Sequence, residues 1–197
     1  MRCANGLQQQ RICKRNMGHF ETTDYVDMVR YLCGQDPCLD PDRVAIFGWS
    51  YGGYATLLAM AQAPEVFRIG LAGAPVGDWR LYDTGYTERY LGLLHETPTE
   101  GDQGERRISE AYRKSCIAHF AKGFPDELNR VYITHGLLDE NVHFTHTCHI
   151  INAMIEEGKP YNVLVYPGER HGLRKSKKCR LHHEAILIKT IAKALLN

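Results

Sequence analysis

The chain has 197 residues, 44% of them hydrophobic and 24% charged, enough for one domain with a real core and too little for two comfortable ones. Lys plus Arg number 24 against 23 Asp plus Glu, a formal charge of +1, so no global field recruits nucleic acid or an anionic membrane. No apolar run approaches the roughly 18 residues that span a bilayer, the first fifteen residues carry no apolar signal core, and the seven cysteines include no CxxC pair; a reduced, cytoplasmic protein is the expectation.

In chain order, Tyr25, Met28, Val29 and Leu32 follow the i, i+3, i+4, i+7 pattern and predict a helix over 24–32. Thr22 or Thr23 is its expected cap and Gly34 its expected end. The turn-rich stretch 36–42 leads into a short β-prone run, Val44 to Phe47, followed by Gly48-Trp49-Ser50-Tyr51-Gly52-Gly53 and an apolar helix from Tyr54 to Ala63. Ile69 to Ala74, Val131 to Thr134 and Val163 to Tyr166 read as three more strands. Phe144, Cys148, Ile151 and Ile155 form a helical stripe between the last two, ending at Gly158 and Pro160. Leu181, Ala185, Ile188, Ala192 and Leu195 mark an amphipathic closing helix. The polar, irregular stretch from Leu93 to Lys122 reads as an excursion on the surface. Strands alternating with helices imply an α/β fold, a mostly parallel sheet with helices on both faces. Four strands are few for an enzyme of this architecture.

The chemistry-bearing signal is Gly48-x-Ser50-x-Gly52 between a β run and a helix. A nucleophilic serine needs its hydroxyl on a tight strand-to-helix turn, and flanking glycines permit that turn because a side chain there would strike neighbouring backbone. Serine alone is a poor nucleophile; it needs a base to take its proton and a carboxylate to orient that base. Asp139 follows the strand at 131–134 and His171 follows the strand at 163–166, in the order serine, acid, histidine. Glu140 is the competing acid; His135 and His143 flank Asp139 and either compete as the base or satisfy backbone or side-chain partners. His143, His146 and His149 recur every third residue beside Cys148. A zinc site needs a more convergent ligand set, so a polar helix face is expected there and no metal. The basic run at 174–178 is most simply a solvated loop. Trp79, Tyr82, Tyr86 and Tyr90 are either core aromatics or the wall of a specificity pocket beside the serine.

The phrases Gly48-Trp49-Ser50-Tyr51-Gly52-Gly53-Tyr54, Tyr82-Asp83-x-x-Tyr86-Thr87-Glu88-Arg89-Tyr90 and His135-Gly136-x-x-Asp139-x-Asn141-Val142-His143-Phe144 resemble the prolyl oligopeptidase family of serine peptidases, in its dipeptidyl peptidase IV subfamily. Gly73-Ala74-Pro75-Val76, Leu138-Asp139-Glu140-Asn141-Val142 and Gly158-Lys159-Pro160-Tyr161 are closer still to its cytosolic members, dipeptidyl peptidases 8 and 9. The resemblance covers about residues 18 to 197. It implies an α/β-hydrolase fold and release of N-terminal dipeptides with proline, or less well alanine, at the second position, without a cofactor. By motif position Ser50 is then the nucleophile, Asp139 the orienting acid and His171 the base. Tyr51 offers its backbone N–H to the oxyanion, Trp79, Tyr82, Tyr86 and Val142 line the proline pocket, and Asn141 holds the substrate carbonyl.

The same resemblance implies features that the sequence lacks: an N-terminal β-propeller, the first strands of the hydrolase sheet, and an upstream tyrosine completing the oxyanion hole. The expectation is therefore the C-terminal portion of a peptidase catalytic domain over residues 1–197. Peptides are its expected substrates, and the tail helix its expected dimer face. Two alternatives stay open: a small esterase or acylaminoacyl-peptidase-like hydrolase with the same triad, and an inactive fragment that acts by association.

Overall fold

The computed structural model describes residues 14–95 and 107–196. Four parallel strands, β1 (Ala45–Trp49), β2 (Ile69–Gly73), β3 (Val131–Gly136) and β4 (Asn162–Tyr166), pair in sequence order. Ala45 stands opposite Ile69, Gly70 opposite Val131 and Tyr132 opposite Asn162. All four expected strands form, each within two residues of its sequence bounds. Because all run the same way, the loops after them share one edge of the sheet, where open α/β sheets hold their ligands.

The helices are α1 (Glu21–Gln35), α2 (Tyr51–Gln62), α3 (Thr84–Leu91), α4 (Glu110–Lys114), α5 (Thr145–Glu156) and α6 (Lys177–Leu196), with 3-10 turns at Trp79–Leu81 and Ile117–Gly123. Right-handed crossovers between strands laid down in order put every connecting helix on one face. There α2 is apolar on all sides and buried from Gly53 to Ala61, as a helix enclosed by sheet and helices must be. A Cβ on Gly70 would meet Met60 at 2.3 Å, so that glycine lets α2 lie close on β2. Among the described residues only α6, after the last strand, covers the opposite face, where His183, Ile186, Leu187 and Thr190 border a cavity floored by Phe47, Leu71, Tyr132 and Leu164.

Three expectations are corrected. Thr22 and Thr23 lie inside the first turn of α1, which begins at Glu21, and Gly34 lies inside its last turn. Glu21 ties the entry instead, accepting from Gly18 N at 3.0 Å and Phe20 N at 3.1 Å. The stretch 93–122 is not all surface: residues 96–106 fall outside the described residues, but Tyr112, Cys116, Ile117 and Ala121 are core. Its polar composition hid four inward positions spaced for one short helix and a turn. The stripe named on the tail helix turns outward at Leu181 and Ile188, which are 49% and 65% exposed. The residues that meet the sheet lie on a different side of α6, and His183 and Thr190 among them carry no apolar signal. Among the described residues no helix is long and apolar enough to cross a membrane.

Candidate active site

Ser50 follows β1 and opens α2 at φ 59°, ψ −116°, a conformation that costs a non-glycine residue on the order of 1–3 kcal/mol. It persists because its neighbours leave no alternative. Its N–H donates to Gly73 O at 2.8 Å, and its carbonyl accepts from Tyr54 N at 3.0 Å to start the helix. A Cβ on Gly48 would stand 2.2 Å from Gly52 O, so only glycine at 48 lets the first turn of α2 fold back over the strand. Gly52 differs: a Cβ there would meet nothing within 4 Å. The Tyr51 N–H belongs to the first turn, where donors have no intrahelical acceptor and the helix dipole favours negative charge. The Tyr51 hydroxyl donates to Glu21, and burial, followed by the Glu21 charge, pushes that phenol far above its ordinary value.

Asp139 lies in the loop after β3 and is buried. Its Oδ1 accepts from Asn141 N at 3.0 Å and Val142 N at 2.9 Å. Its Oδ2 accepts from His171 Nδ1 at 2.8 Å and faces His135 Nε2 at 3.2 Å. Burial alone would raise this carboxyl. Hydrogen bonds from His135, His171 and the Asn141 N–H outweigh burial and hold the group well below the usual carboxylate range. His171, in the loop after β4, thus donates through Nδ1 and leaves Nε2 as a proton acceptor. Glu140, the competing acid, points instead toward Arg170 at 3.6 Å.

Two tethers join His171 to its neighbours. The Trp49 indole N–H, one residue before Ser50, donates to His171 O at 2.7 Å. The loops that carry Asp139 and His171 are knitted by Leu137 N to Tyr166 O at 3.1 Å and Leu138 N to Glu169 O at 3.0 Å. A Cβ on Gly136 would lie 2.4 Å from Glu169 O. Glu169 is itself buried and accepts from Lys175 N and Ser176 N at 3.0 and 2.9 Å, fixing the chain after His171. Among the described residues, Ser50 and His171 share no hydrogen bond.

His135, expected either as a rival base or as a histidine satisfied by backbone and side-chain partners, is fully buried and has the second arrangement. Its Nε2 must carry the proton, because Val142 O, 2.8 Å away, can only accept. Nδ1 then accepts from the Thr147 hydroxyl at 2.7 Å. Glu169, Trp49 and Thr147 are the site residues to which the sequence reading gave no role, while the ring of His135, carried on β3, joins α5 to the Val142 carbonyl beside Asp139. The i, i+4 spacing of His135 and Asp139 is the one signal that could have found it.

The aromatic residues cluster beside the serine turn. Trp79 stacks on Tyr86 with centroids 5.8 Å apart, and its edge meets Tyr82 and Tyr54 at 6.0 and 5.1 Å. Tyr51 lies 5.8 Å from Trp79 and Tyr90 lies 4.8 Å from Tyr86. Trp79 and Val142 are fully buried, whereas Tyr82 and Tyr86 keep partly open faces. The Tyr82 hydroxyl donates to Asn141 Oδ1 at 2.8 Å, leaving the Asn141 NH2 group free in that orientation. The four residues His143, His146, Cys148 and His149 do not converge: His143 and Cys148 are exposed, and His146 is buried with Nδ1 accepting from Gly77 N at 3.2 Å.

Residues 4–194 match the model of the prolyl oligopeptidase family. The chain is 45% identical to mouse dipeptidyl peptidase 8 over 172 residues, 87% of this chain and 18% of that protein. It is 44% identical to human dipeptidyl peptidase 8 over the same length, and 36% identical to bovine dipeptidyl peptidase 4 over 175 residues, 87% of this chain and 21% of that protein. It therefore spans about a fifth of the length of these relatives.

Proposed function

The chain belongs to the prolyl oligopeptidase family, and on that premise we propose that it carries the acyl-transfer centre of a serine-type dipeptidyl peptidase. The reading rests on one observation, the Asp139–His171 hydrogen bond of 2.8 Å, which orients the ring on a loop tied through Trp49 to the strained strand-to-helix turn that carries Ser50. In this reading Ser50 Oγ attacks the scissile carbonyl as His171 Nε2 takes its proton. The Tyr51 N–H stabilises the oxyanion. The C–N bond breaks, and the same proton passes from Nε2 to the departing amine. Water then attacks the acyl-serine, gives a proton to Nε2, and His171 returns it to Ser50 Oγ as the acid leaves. Asp139 stays ionised throughout, its hydrogen bonds favouring the carboxylate.

The partly open faces of Tyr82 and Tyr86 over buried Trp79 suit a flat, apolar proline ring, which leaves no polar atom unpaired there. The free Asn141 NH2 suits the carbonyl of the N-terminal residue. The relatives' names, dipeptidyl peptidases 8 and 4, support a peptidase that releases dipeptides. The outward residues Leu181 and Ile188 on α6 suit a homodimer face.

The test is labelling by a fluorophosphonate probe, with Ser50→Ala and His171→Ala as controls, followed by hydrolysis of a Gly-Pro chromogenic amide. Labelling lost in both variants and turnover of the amide are the expected results. A folded sample that takes no label overturns the reading; label with ester but no amide turnover would move it to the esterase alternative.

A further inference from the structure

Three metal-ligating side chains that the catalytic reading does not use converge behind the aromatic cluster. Asp78 comes from the loop after β2, Cys116 immediately precedes the 3-10 turn at 117–123, and His149 stands on α5. One ligand atom from each lies within 4.8 Å of the others. The backbone fixes the meeting: Ile117 N donates to Gly77 O at 3.0 Å, and Gly77 N to His146 on α5. Asp78 and Cys116 are buried, while the His149 side chain is 37% exposed and gives an entry path. His149 Nε2 faces Asp78 Oδ2 at 3.8 Å, too far for a hydrogen bond, and its Nδ1 is buried with no partner. An imidazole is thus held against a carboxylate and a thiol without a hydrogen bond at either nitrogen.

We propose that Asp78, Cys116 and His149 bind a single zinc ion, with water in the fourth position. Thiolate, imidazole and carboxylate oxygen form a zinc donor set, and sulfur and nitrogen exclude the hard cations magnesium and calcium. Tetrahedral bonds to these donors separate the ligand atoms by roughly 3.3–3.6 Å. The 3.8 Å between His149 and Asp78 is close to that, and the remaining closure is within side-chain adjustment. As the Zn–S bond forms the Cys116 thiol releases its proton to solvent; nothing is oxidised or reduced.

Arg80 opposes the ion. Its backbone N–H and Nε donate to Asp78 Oδ1 at 2.9 and 3.0 Å, and its Nε and Nη2 also reach Oδ2. Zinc takes Oδ2, the oxygen that faces His149. Oδ1 keeps the Arg80 backbone N–H, and the guanidinium, on a side chain 40% exposed, swings into solvent. The site is therefore one in which a cation and an arginine compete for one carboxylate.

The experiment titrates the chelator-stripped full chain with Co2+ and then Zn2+, reading absorption rather than catalysis. One equivalent of Co2+ should give a thiolate-to-metal charge-transfer band that Zn2+ abolishes. Cys116→Ser should remove the band, and His149→Gln should weaken binding at least ~10-fold. Cys148→Ser, an exposed thiol one residue from His149, should change neither. Arg80→Gln should tighten binding, a gain that misfolding cannot produce and that decides the matter if Cys116→Ser fails to fold. A folded chain with no band, a band that survives Cys116→Ser, or Arg80→Gln binding no tighter would overturn the proposal.

Discussion

Ser50 and Asp139 both stand just past the carboxyl end of a strand, yet different forces hold them. Around Ser50 the means are steric: a positive φ, a glycine at 48 with no room for a methyl group, and a helix apolar on every side. Among the described residues its strand β1 is a sheet edge, with Phe47 49% exposed and an apolar cavity of about 370 Å³ alongside. Around Asp139 the means are polar: two backbone donors, two imidazoles and a neighbouring loop locked by Glu169. A sterically set residue is sensitive to volume and indifferent to pH. One set by hydrogen bonds reverses both sensitivities.

The largest test of that contrast is Asp139→Asn. An amide presents an NH2 group where His135 and His171 both need an acceptor, so His171 loses the tautomer that leaves Nε2 free. Labelling of Ser50 should fall by about 10⁴-fold, the size of loss found when a triad acid is neutralised this way. Stability should lose its acid dependence as well. The native carboxyl titrates below its unfolded value, so its contribution is complete above about pH 4 and drains as the pH falls toward the native value. The natural chain should therefore weaken below pH 4 more steeply than the variant in urea titrations. Parallel curves would show that the hydrogen bonds do not set the acid.

Gly48→Ala probes the other half. Its methyl carbon would sit 2.2 Å from Gly52 O, a backbone atom that moves only if the first turn of α2 moves with it. A loss of about 3 kcal/mol is expected, with Ser50 labelling lost and no change in the pH dependence. Equal labelling of a folded Gly48→Ala chain would break the steric account. His135→Ala comes next in size: it strips Asp139 of one partner and strands Val142 O and the Thr147 hydroxyl in the core. About 2 kcal/mol should be lost by chemical denaturation. A neutral result would mean that the ring fills space and positions nothing.

The same division decides what was legible in the sequence. The four strands, and the placing of Ser50, Asp139 and His171 in the turns and loops that follow them, could be read because local pattern carries them: short apolar runs, a glycine-flanked turn, and loops that follow strands. The buried turn at 117–123 and the sheet-facing side of α6 could not. They are decided by which surface happens to lie opposite, and Cys116, His183 and Thr190 give no apolar signal of their own. Glu169 gave no signal for a related reason: it accepts from the Lys175 and Ser176 N–H groups six and seven residues further on, a spacing that belongs to no regular element. The convergence of Asp78, Cys116 and His149 is of the same kind, three segments distant in the chain joined by packing and by the hydrogen bonds at Gly77, whereas the evenly spaced His143, His146 and His149 do not converge on one another.

The smallest expected effect is the sharpest test of how the edge of the sheet is finished. Gly52 occupies the third position of the serine motif, where a tight turn is ordinarily invoked for both glycines, but here the two are not equivalent. A Cβ at 52 would point into open space beside β1, and the residue is helical with an ordinary φ. Alanine should then stabilise the chain by about 0.5 kcal/mol through the entropy of the unfolded state alone, with Ser50 labelling unchanged. The readout is a small rise in the denaturation midpoint at constant slope. A loss of more than about 1 kcal/mol would mean that the space lined by Tyr25, Met28, Ile46 and Phe47 is filled by packed atoms in solution. Ser50 would then be held from that side too, and the contrast with the hydrogen-bonded Asp139 would lie in what covers each residue rather than in how each is built.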